Sequence, residues 1–234
     1  MASFLVTGGA GFIGSNIVAE LVKRKERVKV LDNLSTGSLA NLQPFVRSVE
    51  VLEGSLTDLG VVRAAVRGTD FVLHQGALPS VPRSVEKPIN TNDVNVTGTL
   101  NVLVASKEEG VRKVIVASSS SVYGDTQESP KSESMHPKPL SPYAVSKLAG
   151  EQYARVFYEI YGLPTIVLRY FNVFGPRQNP DSQYSAVIPK FIKAMLAGNR
   201  RLFTGMGRSL VISALFKTLL RPITWQRMQM VGME

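Results

Sequence analysis

Tyr143 and Lys147 stand four residues apart in "SPYAVSKLAGEQYA", a spacing that places both side chains on one face of a helix. A phenol with a pKa near ~10 is a poor base at neutral pH. An ammonium one turn away, together with a cationic ring bound alongside, would stabilise the phenolate and lower that value. Taken alone, the pair is indistinguishable from an ordinary surface i,i+4 contact. A second stretch raises a similar choice. In "SSSSVYGD", residues 118–125, four serines end the β-branched run Val114, Ile115, Val116. They are either an inert loop or a row of hydroxyls set for chemistry.

The flanking sequence decides between these readings. "VTGGAGFIGSN" follows an apolar run and opens a helix-period segment. Gly9, Gly11 and Gly14 satisfy G-x-G-x-x-G, and Gly8, Gly11 and Gly14 give G-x-x-G-x-x-G, with Phe12 and Ile13 between. Such a loop turns tightly, lets backbone approach a pyrophosphate and packs helix on strand. The helix N-terminus then offers N–H groups to the anion. Asp32 lies 18 residues beyond Gly14, at the end of the second apolar run. There a carboxylate can bind ribose hydroxyls and would repel a 2′-phosphate. Asn33 is no arginine, so NAD is favoured over NADP. With this loop upstream, Tyr143 and Lys147 read as a catalytic pair, Lys147 also reaching the nicotinamide ribose.

The elements that must position these groups follow from the periodicity. Strands are predicted near 2–7, 27–31, 49–53, 69–74, 112–117 and 164–169, and helices near 12–25, 58–67, 89–110, 141–162 and 184–198. The strands are short, rich in Val, Ile and Leu, and lack polar alternation, which implies a sheet covered on both faces. Strand–helix–strand repetition implies parallel order with right-handed crossovers. The expected fold is an α/β doubly wound parallel sheet, Rossmann-like, with an incomplete C-terminal substrate domain. Residues 1–169 form the NAD-binding domain, 170–207 begin a substrate-binding region, and 208–234 are an atypical tail.

Composition narrows the function. The 234 residues contain no cysteine and two histidines, His74 and His136, which leaves little for a metal site, and none is expected. His74, at a strand end, reads as a structural histidine. The net charge of +9 invites a nucleic-acid reading, but residues 208–234 carry +3 of it. The remaining basic groups are dispersed and often paired with acids, as on a solvated surface, so no nucleic-acid partner is expected. No signal peptide or membrane span is evident, and the expected location is cytoplasmic, without membrane association.

"TGGAGFIG", "SSSSVYGD", "SPYAVSK" and "LRYFNVFGPRQ" occur in the order and spacing of the extended short-chain dehydrogenase/reductase family. The resemblance covers about residues 1–207 and is greatest to nucleotide-sugar epimerases; "ALPSVPRS" and "AVIPKF" resemble the UDP-N-acetylglucosamine 4-epimerase group. It implies that Tyr143 is the acid or base at the sugar 4′-hydroxyl, that Lys147 tunes it, and that Ser119 bonds the reacting oxygen. It implies cofactor contacts from the glycine loop, from Asp32, Asn33, Leu34, Ser35 and Gly37, and from Leu56, Gln75, Gly76, Ala77, Asn95 and Phe171. Ser80, Ser120, Ser121, Asn172 and Val187 would meet the UDP-sugar, Asn172 at its diphosphate. Ser55 departs from the pattern, since an Asp usually follows that glycine and contacts adenine. The resemblance further implies a homodimer through the helices near 89–110 and 141–162.

The serines discriminate between reactions. Related dehydratases usually carry Asp and Glu where this chain has Ser120 and Ser121, and related decarboxylases usually keep the Glu. Hydroxyls orient a sugar but cannot replace carboxylates as acid/base groups near neutrality. Epimerisation at C4 is therefore the expected reaction. A dehydratase or decarboxylase on the same scaffold, and a non-catalytic NAD-binding protein, are the rivals.

The family pattern holds through "RLFTGMG" at 201–207 and then gives way to "RSLVISALFKTLLRPITWQRMQMVGME". If the third base of the Arg208 codon starts a new frame, the codons of Ser209 to Ser213 permit Gln, Ser, Arg, Asp and Phe, a string that resembles the missing family element. The expectation is a one-nucleotide deletion near Arg208, with loss of the arginines that meet the UDP phosphates and impaired turnover. Resequencing the gene through these codons tests it.

Overall fold

The computed structural model describes residues 1–179, 195–196 and 213–215. Its contacts divide the chain into two units, Met1–Tyr170 and Phe171–Glu234.

Six parallel strands form the first unit's sheet: β1 (Ser3–Thr7), β2 (Arg27–Asp32), β3 (Val49–Glu53), β4 (Phe71–His74), β5 (Lys113–Ser119) and β6 (Thr165–Tyr170). Their spatial order is β3-β2-β1-β4-β5-β6. Every residue of β1 and β4 is buried, as expected where helices cover both faces of a parallel sheet. The sheet reverses direction of growth at β1, which pairs with β2 on one side and β4 on the other. The crevice at such a switch point, beyond the strands' carboxyl ends, is where ligands bind in this architecture.

The helices are α1 (Phe12–Lys23), α2 (Leu59–Val66), α3 (Val81–Glu86), α4 (Pro88–Asn92), α5 (Gly98–Glu108) and α6 (Pro142–Tyr161). Local chemistry sets their ends. Asp58 accepts from the N–H groups of Gly60 and Val61 at the start of α2, and Ser141 accepts from Ala144 N–H before Pro142 at the start of α6. Gly162, in the left-handed conformation, ends α6. α1 differs, because its cap is Gly11, which has no side chain to bond the first turn.

Leu5, Leu31, Val72, Val102, Leu103, Val114 and Phe157 belong to one buried cluster between the sheet and its helices. Phe4 and Phe71 stack with ring centroids 5.0 Å apart.

Two elements depart from the expected pattern. The single helix near 89–110 is interrupted by a π turn, Asp93–Thr97, between α4 and α5, and α3 is an additional short helix. Of the helix near 184–198 only residues 195 and 196, both helical, are described. In the second unit, β7 (Asn172–Phe174) pairs in parallel with β8 (Ser213–Leu215).

Candidate active site

The glycine loop is shaped by backbone crowding. Gly8 has φ +66°, and a Cβ there would lie 2.7 Å from Gly76 Cα. A Cβ on Gly14 would lie 2.1 Å from Gly8 O, so no side chain fits. Gly11 is different: a Cβ there would meet only Gly8 O, at 3.2 Å, with open space beyond. Asp32, at the end of β2, accepts from Ala10 N–H at 2.9 Å and from Leu34 N–H at 2.8 Å. Each carboxylate oxygen keeps a further lone pair for a ligand hydroxyl. Leu34 has φ +57°. Asn33 accepts from both the N–H and the hydroxyl of Ser35. The segment then folds back on the glycine loop, with Gly37 against Ala10. Ser38 N–H and the Asn41 side chain both donate to Ala10 O. Asn41 escaped the sequence reading because no local motif marks it.

A buried polar chain holds the next segment. The Thr7 hydroxyl accepts from Gly76 N–H at 3.1 Å and lies 2.7 Å from His74 Nδ1. The Thr99 hydroxyl donates to Asn95 O at 2.6 Å and lies 2.9 Å from His74 Nε2. One arrangement satisfies every group: Nε2–H donates to Thr99, and Nδ1 accepts from Thr7. His74 is thus a neutral structural histidine. Burial, and secondarily the charge of Lys147, push it down to about 3. Asn95, inside the π turn, accepts from Leu78 N–H and donates to Leu78 O and to the Ser146 hydroxyl. It therefore fastens the segment after β4, which includes Ala77, to α6. π turns recur at functional sites, and this one aims Asn95 at both partners.

Beyond the end of β5, Ser119 accepts from the N–H of Ser121 at 3.2 Å and from its hydroxyl at 2.9 Å. The Ser119 hydroxyl also hydrogen-bonds the Tyr143 phenol. Lys147 Nζ donates to Ala117 O at 2.9 Å and lies 6.0 Å from the Tyr143 ring centroid. Burial lowers the Lys147 ammonium to about 8. The same effect pushes Tyr143 up, and the Ser119 bond opposes it. The direction is therefore opposite to the lowering expected from Lys147, because burial is the largest influence on the phenol. Ser119 and Lys147 both stand beside Tyr143. Ser120 and Ser121 lie in the 3-10 turn Ser120–Tyr123 that follows.

The remaining residues are placed less directly. Leu56 is buried and packs against Gly76 and Gly98. Ser80 has φ +104°, and its hydroxyl accepts from Arg83 N–H to cap α3. Phe171 opens the second unit, where Asn172 is exposed at the start of β7. Val187 lies outside the described residues. The Gln75 amide and the Tyr170 hydroxyl are both buried, and hydrogen bonding to Gln75 opposes the rise that burial imposes on the Tyr170 phenol. Among the described residues no group of acids and histidines could hold a metal, and no helix is long and apolar enough to cross a membrane.

The model for the NAD dependent epimerase/dehydratase family matches residues 4–211. The chain belongs to this family. It is 39% identical over 212 residues to a UDP-glucose 4-epimerase of Mycolicibacterium smegmatis, covering 87% of this chain and 66% of that protein. A UDP-N-acetylglucosamine 4-epimerase from Methanobrevibacter ruminantium, in complex with UDP-N-acetylmuramic acid, superposes with TM-score 0.89 at 41% identity, covering 94% of this chain and 71% of that one. The Thermus thermophilus UDP-glucose 4-epimerase in complex with NAD gives TM-score 0.87 at 36% identity, covering 99% and 75%. Related nucleotide-sugar dehydratases and a decarboxylase also match. The chain spans about two thirds of the length of these curated relatives.

The residues present fit NAD. The glycine-capped N-terminus of α1 and the open side of Gly11 suit a pyrophosphate. Asp32 suits a ribose diol.

Proposed function

We propose that this chain is the cofactor-binding and catalytic portion of an NAD-dependent enzyme that epimerises C4 of a UDP-sugar, UDP-glucose or UDP-N-acetylglucosamine, through a 4-keto intermediate. The convergence of Ser119, Tyr143 and Lys147 beyond the glycine cradle carries this reading. NAD, when bound, supplies the reversible hydride acceptor. Tyr143 takes the proton from the sugar hydroxyl and returns it. Ser119 holds the same oxygen, and its two bonds from Ser121 fix its direction. Lys147 holds the nicotinamide ribose and a positive charge within reach of the phenol. Phe171 and Asn172 would meet the nicotinamide and the diphosphate, with Ser80 and Val187 at the sugar.

The absence of carboxylates at Ser120 and Ser121 favours epimerisation over dehydration or decarboxylation, the reactions of the other relatives. We assign 1–169 to the cofactor domain and 170–207 to the start of the substrate region. Exposed Ile89 and Val145 on α4 and α6 support a homodimer through those helices, and a sequence without cysteine suits a cytoplasmic setting.

The test is Tyr143→Phe. It is expected to lower kcat for UDP-sugar interconversion by at least about a thousand-fold and to leave NAD affinity within about two-fold. A variant that still turns over at a tenth of the native rate overturns the assignment.

A further inference from the structure

Tyr143, Lys147 and Glu151 succeed one another at intervals of four along α6 and therefore share one stripe of that helix. Each meets the strands at a different level. Tyr143 meets Ser119, Lys147 meets Ala117 O, and Glu151 accepts from the Ser118 hydroxyl. Glu151 is 7% exposed, so its charge is out of water and must be matched. Arg169 of β6 matches it with two bonds, Nε to Oε1 at 2.9 Å and Nη2 to Oε2 at 2.7 Å. The fork-on-fork geometry fixes orientation as well as separation. The guanidinium also lies 4.8 Å from the ring centroid of Tyr123, which is buried and ends the serine turn. β5, β6, α6 and the serine turn thus meet at one ion pair, and none of its members is a reacting group in the proposed function.

We propose that Ser118, Glu151 and Arg169 are positioning residues, a pin that sets the rotation of α6 about its axis and so keeps Tyr143 on Ser119 and Lys147 on Ala117 O. The inference rests on reading Tyr143 and Lys147 as the catalytic pair. The geometric reason is leverage. The Tyr143 hydroxyl stands at the far end of a long side chain from the axis of α6, so even a small turn of the helix sweeps it sideways by more than a hydrogen bond tolerates. Ser119–Tyr143 and Lys147–Ala117 are single bonds at the open end of the sheet. The bidentate pair below them resists that rotation.

A neutral replacement of the whole pair separates positioning from stability. Arg169→Met alone strands the buried Glu151 carboxylate and is expected to lower the thermal midpoint strongly, whereas Glu151→Gln leaves a partly exposed guanidinium and costs less. The double variant Glu151→Gln/Arg169→Met removes both charges and is expected to recover most of that loss. Ser118→Ala removes the link to β5 without changing charge. The readout is the NMR resonance of the ζ-carbon of Tyr143 in tyrosine-labelled protein, assigned by its disappearance in Tyr143→Phe. Ser119→Ala gives the reference position for a phenol that has lost its partner.

The Tyr143 resonance is expected to move toward that reference in Ser118→Ala and in the double variant, even where the thermal midpoint is native-like. With UDP-sugar, kcat is expected to fall about ten-fold at unchanged KM and NAD affinity. A Tyr143 resonance that stays at its native position in both variants overturns the proposal. If the native chain shows no turnover, the epimerase reading fails, while the resonance still decides the positioning role.

Discussion

Replacing Lys147 with methionine is expected to stabilise the fold at neutral pH while removing the site's cation. Burial lowers the ammonium from its ordinary 10.5 to about 8, which at 1.36 kcal/mol per unit is a cost of about 3 kcal/mol for carrying the charge. Methionine keeps the length and apolar stem but forfeits the bond to Ala117 O, a loss of about 1 kcal/mol. The net expectation is a gain of about 2 kcal/mol at pH 7. The pH dependence gives the argument its edge. Below pH 8 folded and unfolded chains both carry the proton, and the full cost is present. Between 8 and 10.5 the folded chain sheds its proton first, so native stability rises with pH. Above 10.5 the cost is gone, and the variant should be the less stable by about 1 kcal/mol. Urea unfolding of both proteins at pH 7, 9 and 10.5 measures the difference directly, since other titrations cancel between them. A variant less stable than native at pH 7, or a gain that persists unchanged to pH 10.5, refutes the reasoning.

Two further outcomes follow from the glycine loop and the buried imidazole. Gly14→Ala would press a methyl against Gly8 O, and calorimetry should show NAD affinity weakened at least about ten-fold; binding within three-fold of native would show that the loop can yield. His74 stays neutral in the fold to about pH 3 but takes up a proton near 6.5 when unfolded, so native stability is present above 6.5 and lost as pH falls. Relative to His74→Gln, the native chain should lose about 2 kcal/mol between pH 7 and pH 5. Parallel stability profiles for the two proteins would remove the histidine as the acid-sensitive group.

The parts of this architecture legible in the sequence are those written in short spacings. The glycine loop, the acid at the end of β2, the Tyr143–Lys147 interval and the fully apolar strands all act within a few residues, so their geometry follows from the local chain. The break in the helix near 89–110 does not. Asp93–Thr97 is pulled into a π turn whose Asn95 reaches Leu78 and Ser146, partners 17 and 51 residues away. Asn41 is similar, meeting the glycine loop only because its segment returns to Ala10. The direction of the Tyr143 shift is not legible in the sequence for a related reason. Sequence spacing shows which charge is near the phenol but not how much water the fold removes from it, and here burial outweighs proximity.

The close approach of Gly8 to Gly76 bears on the order in which this chain acquires its cofactor site during synthesis. β1, the glycine loop, α1 and β2 are contiguous and can assemble as soon as they emerge. The cradle, however, is closed only when β4 docks on the far side of β1, where Thr7 meets His74 from 67 residues away. Contacts of that separation carry a loop-closure cost and form late. Until then the first glycine turn faces solvent without its opposite wall. A nascent chain would therefore gain dinucleotide binding abruptly, when β4 completes the switch point, rather than gradually as the glycine motif is made.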